Sequence, residues 1–381
     1  MDYIRHNEEV SKVWENFNNG NPIRVPVVAR ISSCWAICDE RLNPKHISFR
    51  EYTDNPRLMF EKQAELRHFI RFNIPFDQQM GPIDQGYRVL VDSQNYHESA
   101  WLGADVVFSG RNIPFAKPIL NDDNKNMLFH KGFPDPFGGI MAKEREYYEL
   151  FKEYARDYVL DGQRVDPDLI GTNGGWTDGP FTLACNVRGT ENFCIDLYED
   201  PEFADQLLEF LTEAAIMRIK AWRKYLGQPL KNKAYGFADD SMQLLSTKQY
   251  AERVMPYHKR LIEELAYPGA SLSIHLCGDA THHFKFLHDE LNVMSFDTGF
   301  PVDHARIAKE LGPEVRIYGG PAAKLFVSAT PEQIANETTR IVSSVMPLTK
   351  NYVMCEGHNV PPNTPIENIA AMYEAGRLLH Y

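Results

Sequence analysis

The sequence has no long run of hydrophobic residues and no cluster of positive charge. None of its apolar stretches approaches the roughly 20 residues that a membrane-spanning helix needs. Its 40 lysines and arginines are outnumbered by 52 aspartates and glutamates, for a formal net charge of -12. Because nucleic acids and anionic membrane surfaces attract basic proteins, this balance argues against both as partners.

The first residues of the chain also lack the features of a secretory signal. They carry acidic residues where a signal peptide has a basic segment, and they contain no apolar core. We therefore expect a cytoplasmic protein.

Cysteine is scarce, with six residues among 381. This number is too low for a disulfide framework, so we expect free thiols or metal ligands. Cys34 and Cys38 lie in an apolar Cys-Trp-Ala-Ile-Cys context, which favours packing over metal binding.

The sequence does contain a regular alternation of short apolar segments and amphipathic helices after about residue 166. Such alternation implies parallel strand pairing. At least five units occur, and no G-x-G-x-x-G motif follows the first strand, so the pattern predicts a (β/α)8 TIM barrel rather than a Rossmann sheet. We expect one domain over 1–381, with an N-terminal helix over about 1–20 and irregular lid or substrate loops over about 108–166.

The segment Ser271–Asp279 is the strongest candidate for a functional strand. Its alternation places His275 and Cys277 on one face, roughly 6.6 Å apart along the strand. An imidazole and a thiolate at this spacing can supply two of the three protein ligands of a catalytic zinc. A lone His-x-Cys is a weak pattern, however, and by itself it fits a buried histidine and thiol better than a metal site.

Other polar residues fall at the predicted carboxyl ends of strands, which is where TIM barrels carry their chemistry. Cys355 and His358 follow a later strand, and either could supply the third ligand. Asp239 and Asp240 could accept a proton or support a ligand, and either could instead be structural. The remaining residues of this kind are Asp297 and Tyr318.

An ordered series of motifs in the second half of the chain resembles the uroporphyrinogen decarboxylase superfamily. The resemblance covers roughly residues 167–381 and implies a TIM barrel. Its motifs are Gly179-Pro-Phe-Thr-Leu-Ala184, Asp196-Leu-Tyr-Glu-Asp-Pro201, Asp239-Asp240 with Gln243, Ile274-His-Leu-Cys-Gly278, Ile317-Tyr-Gly-Gly-Pro321 and Gly357-His-Asn-Val-Pro-Pro-Asn-Thr-Pro-Ile-Glu-Asn368.

Two branches of this family differ in their chemistry. The decarboxylases use no metal and bind tetrapyrrole carboxylates through an Arg-Gln-Ala-Gly-Arg type segment. The corresponding region here, Ala29–Cys38, keeps only Arg30. The second branch consists of methyltransferases that hold zinc with a His-x-Cys and a later Cys, and that work with corrinoids. His275 and Cys277 match that His-x-Cys, so the resemblance favours this branch.

The resemblance implies a zinc-dependent methyltransferase that moves methyl between a small substrate and a corrinoid protein. We expect His275, Cys277 and Cys355 to bind zinc, although His358 occupies the column in which these methyltransferases carry their Cys. No Asp-x-His-x-x-Gly segment is present, so the corrinoid would come from a partner protein. The remaining candidates are Asp239, Asp240 and His358 for catalysis, and Arg30, Trp176, Asp297 and Tyr318 for substrate binding.

The sequence does not determine the direction of methyl transfer or the substrate. We favour transfer from a methyl ether to the corrinoid, because the aromatic residues Phe108, Phe115, Phe129, Phe133 and Phe137 could line a pocket for an aryl ether. The alternatives are transfer from a methylcorrinoid to a thiol, a metal-free decarboxylase-like lyase, and a non-catalytic corrinoid or tetrapyrrole carrier. A homodimer is compatible with each of them.

Overall fold

The computed structural model describes residues 2–381 and shows alternating helices and strands. The strands are β1 (Leu90–Val91), β2 (Val106–Ser109), β3 (Asn112–Ala116), β4 (Val159–Leu160), β5 (Gln163–Arg164), β6 (Gly171–Thr172), β7 (Asn232–Ala238), β8 (Ala266–Leu276), β9 (Val293–Thr298), β10 (Arg316–Gly319) and β11 (Tyr352–Met354). The helices are α1 (Tyr3–Asn18), α2 (Ser33–Cys38), α3 (Phe49–Asp54), α4 (Pro56–Asn73), α5 (His97–Trp101), α6 (Met127–Lys131), α7 (Ile140–Ala155), α8 (Pro180–Arg188), α9 (Thr190–Glu199), α10 (Pro201–Tyr225), α11 (Thr247–Arg253), α12 (Met255–Leu265), α13 (Thr281–Leu291), α14 (His304–Leu311), α15 (Ala323–Ser328), α16 (Pro331–Val345) and α17 (Ile366–Arg377).

Eight parallel segments occupy the strand positions of a (β/α)8 barrel. Five of them form one sheet in the order β11-β10-β9-β8-β7. β1 pairs with β6 in a second parallel ladder. The eighth segment surrounds Val27, which forms a parallel bridge to Met354 at the edge of β11. The TIM barrel predicted from the sequence is thus confirmed.

The strand register brings one row of residues together at the carboxyl end of the sheet. His275 of β8 lies opposite Ala238 of β7 on one side and Asp297 of β9 on the other. Asp297 in turn pairs with Tyr318 of β10. Because the strands are parallel, these side chains and the loops that follow them share one mouth.

Local signals explain the helices of the second half. The side chain of Asp200 accepts a hydrogen bond from the Phe203 N–H, and Pro201 occupies the first turn of α10. Ser246 and Thr330 form the capping boxes of α11 and α16. The predicted N-terminal helix is also confirmed, since α1 ends at Asn18.

The region of about 108–166 combines loops with regular elements. It contains the β2–β3 and β4–β5 hairpins and the 16-residue helix α7. Pro167–Leu169 forms a 3-10 turn before β6. The hydroxyl of Thr364 donates to the Pro361 carbonyl, and Pro365 holds the cap position of the last helix. A role of the 108–166 region as a lid or substrate loop remains a prediction.

A buried ion pair anchors the Val27 segment to the loop that follows α4. The guanidinium of Arg24 binds both carboxylate oxygens of Asp77, at 2.5 and 2.7 Å. The same carboxylate accepts the backbone N–H of Val27 at 2.6 Å. The Arg24 and Asp77 side chains are 1% and 0% exposed, so neither charge is compensated by water.

Within residues 2–381, no helix is both long and apolar enough to cross a lipid bilayer.

We expect Asp77→Ala to lower the free energy of unfolding by about 3–5 kcal/mol, because it removes the buried bidentate partner of Arg24 and leaves only the exposed Glu9 at 3.3 Å. Urea denaturation followed by circular dichroism would measure the change. Glu310→Ala is the matched control, since it removes the partner of the exposed Arg306 and should cost less than about 1 kcal/mol. Equal losses in the two variants would contradict the structural role of the buried pair.

Candidate metal centre

Three side chains with metal-binding atoms converge at the barrel mouth. Donor atoms of His275, Cys277 and His358 all lie within 4.8 Å of one another. The Cys277 Sγ is 3.2 Å from His275 Nε2 and 2.8 Å from His358 Nδ1. The thiol is therefore flanked by two imidazoles, an arrangement that can close around a single cation.

The backbone explains why these side chains meet. The alternation of β8 directs His275 and Cys277 to the same side, and the chain then turns at Gly278, which has a φ of +70°. The Gln243 side chain fills the space that a Cβ at Gly278 would take. His358 has a φ of +115°, which non-glycine residues rarely adopt and which is characteristic of functional sites.

Carboxylates orient the metal-binding atoms from behind. The Nδ1 of His275 is 2.6 Å from Asp297 Oδ2. A proton on Nδ1 leaves the lone pair of Nε2 directed toward Cys277, as in carboxylate–histidine–metal arrangements. Asp240 Oδ1 accepts the backbone N–H of Cys277 at 2.8 Å and lies 3.8 Å from His275 Nε2.

The electrostatics of the site favour a cation between these residues. Burial, followed by the negative charge of Asp240, raises the pKa of the Cys277 thiol. Burial opposes protonation of His275, but the hydrogen bond and charge of Asp297 raise its pKa overall. Burial lowers the pKa of His358 and keeps this imidazole neutral. A cation between the three donors would stabilise the thiolate against the surrounding carboxylates.

Arg30 joins several parts of the site. Its guanidinium lies 2.7 Å from Asp297 Oδ1 and donates to the His358 carbonyl at 3.1 Å. It also stands 5.9 Å from the centre of the Tyr318 ring. Arg30, Asp297 and Tyr318 are therefore at the site, and their binding of substrate remains a prediction.

His358 lies with the other two donors and Cys355 does not, so the identity of a third ligand remains a prediction. Cys355 is completely buried, and its Sγ is 3.4 Å from the Arg30 guanidinium. Thiolates suit zinc, which favours Cys355 on chemistry, whereas the positive φ of His358 brings its imidazole to His275 and Cys277.

Asp239 is held by hydrogen bonds within the fold, and a catalytic role for it remains a prediction. It is 0% exposed and accepts the backbone N–H groups of Phe181 and Thr182 at the start of α8. The Thr182 hydroxyl and the Nε2 of His258 complete its contacts, at 2.7 and 2.9 Å. Both of its oxygens are thus occupied, and of the two neighbouring aspartates only Asp240 faces the donors.

Trp176 belongs to the loop that leads into α8. Its side chain is 42% exposed, and its backbone carbonyl accepts a hydrogen bond from Arg218. A role in substrate binding remains a prediction for this residue.

Two acidic residues beside the same loop, Glu98 and Asp178, were not predicted from the sequence. Glu98 is buried, forms an ion pair with Arg218 and accepts the backbone N–H of Asp178 at 2.7 Å. Burial, followed by the charges of Glu98 and Asp240, raises the pKa of Asp178 to about 8. The position of Asp178 directly before the Gly179-Pro motif could have identified it, whereas no local pattern distinguishes Glu98.

A cavity of about 460 Å³ lies beside His358. Its walls combine polar groups with apolar surface, among them Ser33, Cys34, Asp92, Gln94, Phe300 and Val360. The predicted aromatic lining is wrong, because the phenylalanines of the 108–137 region lie elsewhere. Phe129 and Phe133 pack on Phe210, for example. From that region only Ile113 reaches the cavity.

The comparisons with known proteins agree with the barrel and its motifs. The family model of uroporphyrinogen decarboxylase (URO-D) matches residues 170–378, and the chain belongs to this family. A solved structure of a methyltransferase from Methanosarcina mazei superimposes with a TM-score of 0.65, covering 97% of this chain and 98% of that chain. Because their sequences are only 15% identical, this similarity shows the fold alone.

Two kinds of enzyme occur among the similar sequences. A methylated-thiol–coenzyme M methyltransferase from Methanosarcina mazei is 29% identical over 201 residues, which make up 51% of this chain and 50% of that protein. A uroporphyrinogen decarboxylase from Anaeromyxobacter dehalogenans is 27% identical over 226 residues, or 57% of this chain and 62% of the relative. A decarboxylase from Prochlorococcus marinus is 24% identical over 349 residues, covering 88% and 87%. The chain thus spans about half to three-fifths of the first two relatives.

We expect Asp239→Ala to lower the free energy of unfolding by about 3 kcal/mol or more, because it leaves several buried donors without an acceptor. Asp240→Ala should cost less than about 1.5 kcal/mol, since this partly exposed side chain accepts one backbone hydrogen bond. Thermal and urea unfolding of the two variants provide the measurement. A greater loss in Asp240→Ala than in Asp239→Ala would exchange the two assignments.

Proposed function

We propose that the protein is a zinc-dependent methyltransferase that moves a methyl group between a small methylated substrate and a corrinoid protein. The observation that carries this proposal is the convergence of His275, Cys277 and His358 within 4.8 Å at the mouth of the barrel. The similarity to a methylated-thiol–coenzyme M methyltransferase supports the same reaction class.

The donor set fits zinc. One thiolate and two imidazoles are preferred zinc ligands, and three protein ligands are the usual number at catalytic zinc sites. Asp297 supports His275 through Nδ1, which is the contact that commonly orients a zinc-bound histidine. The carboxylates of Asp240 and Asp297 add negative charge that favours a divalent cation.

The charge of this ligand set favours activation of a neutral oxygen. Zinc held by one thiolate and two neutral imidazoles would retain about one positive charge, and would act as a Lewis acid toward an ether oxygen or a thiol. A second thiolate in place of His358 would have cancelled that charge. We therefore keep the methyl ether as the proposed substrate, with transfer from a methylcorrinoid to a thiol as the alternative direction.

The residues around the donors have separate tasks in this proposal. Asp297 accepts the Nδ1 proton of His275 and fixes the direction of the imidazole. Asp240 holds the backbone of Cys277 through Oδ1, and its side chain is 35% exposed. Its carboxylate can accept a proton from a bound thiol or alcohol. Arg30 orients Asp297 and the His358 loop.

The cavity beside His358 suits a small substrate. Its volume of about 460 Å³ lies in the usual range for small-molecule sites. The polar side chains of Gln94 and Asn95 could orient such a molecule, while Phe300 and Val360 contact its apolar part. The corrinoid would approach from a partner protein through the open mouth.

A metal-free lyase of the decarboxylase type is the second candidate, because the decarboxylases among the relatives include one that covers 88% of this chain. Arg30 weakens that candidate, since Asp297 already neutralises its guanidinium at 2.7 Å. The consumption of a porphyrinogen by metal-free protein would establish the lyase.

We expect about one zinc per chain, because three ligands of suitable chemistry meet at one point. Mass spectrometry of the metal content would show this zinc lost in Cys277→Ser and His358→Ala. Cys355→Ser is the matched control and should retain it, because Cys355 lies outside the donor group. Loss of zinc in Cys355→Ser with retention in His358→Ala would return the third ligand to Cys355. Absence of zinc after reconstitution under reducing conditions would overturn the metal proposal.

We also expect the zinc-loaded protein to methylate a reduced corrinoid protein with a small methyl ether as donor. Absorbance spectroscopy would follow the conversion of the reduced corrinoid into the methylated form. His358→Cys is an informative variant, because a second thiolate lowers the positive charge of the site and should slow ether cleavage. Transfer from methylcobalamin to a thiol, without any reaction of ethers, would reverse the proposed direction.

A further inference from the structure

A second cavity, of about 510 Å³, lies between α4 and the chain that leads into β1. Three arginines, Arg67, Arg71 and Arg88, line it. No aspartate or glutamate is found among its lining residues within residues 2–381. This is unusual in a chain of net charge -12, in which acidic side chains outnumber basic ones.

Among these three arginines, Arg67 has the least favourable surroundings. Its Nε is completely buried and has no hydrogen-bond partner in the described part of the chain. Burial lowers the pKa of Arg67, as does the charge of Arg88, whereas Tyr52 and Asp92 act to raise it. A buried N–H group without an acceptor is unfavourable, and a bound anion would supply that acceptor.

The other two arginines add charge to the same space. Arg71 follows Arg67 by one helical turn, so both lie on one face of α4. It donates to the backbone carbonyls of Gln79 and Pro82, which shapes the wall but leaves its charge without a carboxylate. Arg88 is exposed and has no ion pair within residues 2–381.

Buried arginines elsewhere in the described residues have acceptors. Arg24 is paired with Asp77, Arg188 with Asp196, and Arg218 with Glu98. Arg223 donates instead to the backbone carbonyls of Leu230 and Leu265. The Nε of Arg67 has no such acceptor among residues 2–381.

This cavity is separate from the candidate metal centre. Arg88 precedes β1 and Leu169 precedes β6, which places the cavity at the amino-terminal ends of these strands. The metal centre follows the carboxyl ends of β8 and β11. The two cavities share no lining residue.

We propose that this cavity is a binding site for a small organic anion. A phosphate or carboxylate group would bind Arg67 and Arg88, and the apolar part of the molecule would contact Ile70, Ile83 and Leu169. The side chains of Gln78 and Gln85 supply further donors to its polar atoms. The site is independent of the proposed methyl transfer.

Isothermal titration calorimetry on the full chain tests the proposal with inorganic phosphate, phenyl phosphate and benzoate. Binding of inorganic phosphate would show that an oxyanion alone is sufficient. Phenyl phosphate and benzoate compare a phosphate with a carboxylate on the same phenyl ring. We expect at least one of them to bind with a stoichiometry of about one, and Arg67→Gln and Arg88→Gln each to weaken that binding about tenfold or more.

Arg57→Gln is the matched control, because Arg57 also belongs to α4 but forms an exposed ion pair with Glu61. It should bind the anion as the unaltered protein does. Cys277→Ser should also retain binding, so a failure of the proposed function would leave this result unaffected.

The proposal is overturned if none of the three probes binds. It is equally overturned if the Arg67→Gln and Arg88→Gln variants bind as tightly as the Arg57→Gln control. Since Arg88 is exposed, its substitution preserves the fold and gives a decisive answer even if Arg67→Gln is unstable.

Discussion

The pairing of β8 with both of its neighbours is the constraint on which the candidate site depends. His275 lies between Ala238 and Asp297 because both ladders run without a register shift from Ser273 to the end of the strand. A shift by one residue would turn every side chain of β8 to the opposite face. His275 would then lose Asp297, and Cys277 would leave the mouth. The chemistry of the site is thus fixed by backbone hydrogen bonds before any side chain contributes.

The second half of the fold could be predicted because its signals are local. The capping residue Asp200 and the capping box at Ser246 define helix starts within a few residues of sequence. The helices of the first half have comparable signals at Ser48 and Asn55, but its short strands have none. β1 and β6 have two residues each and exist only because they pair with one another across about 80 residues of chain. No pattern within either segment could have revealed that pairing.

The site was predictable in its strand and not in its loops. Alternation along β8 was sufficient to put His275 and Cys277 together, whereas the third donor depends on the positive φ of His358. Asp239 and Asp240 present the same difficulty. Successive residues at a strand end point in opposite directions, so one carboxylate enters the packing of α8 and the other faces the mouth. The sequence alone could not show which of the two aspartates faces the mouth.

Arg30 connects residues that are very distant in the chain. Its backbone N–H donates to the Glu356 carboxylate and its guanidinium to the His358 carbonyl, over separations of 326 and 328 residues. Contacts of such high contact order are entropically costly and form late in folding. During synthesis, the segment that carries His358 would leave the ribosome long after β8. A growing chain would therefore hold His275 and Cys277 before His358 is present, and the three donors would meet only when the barrel closes.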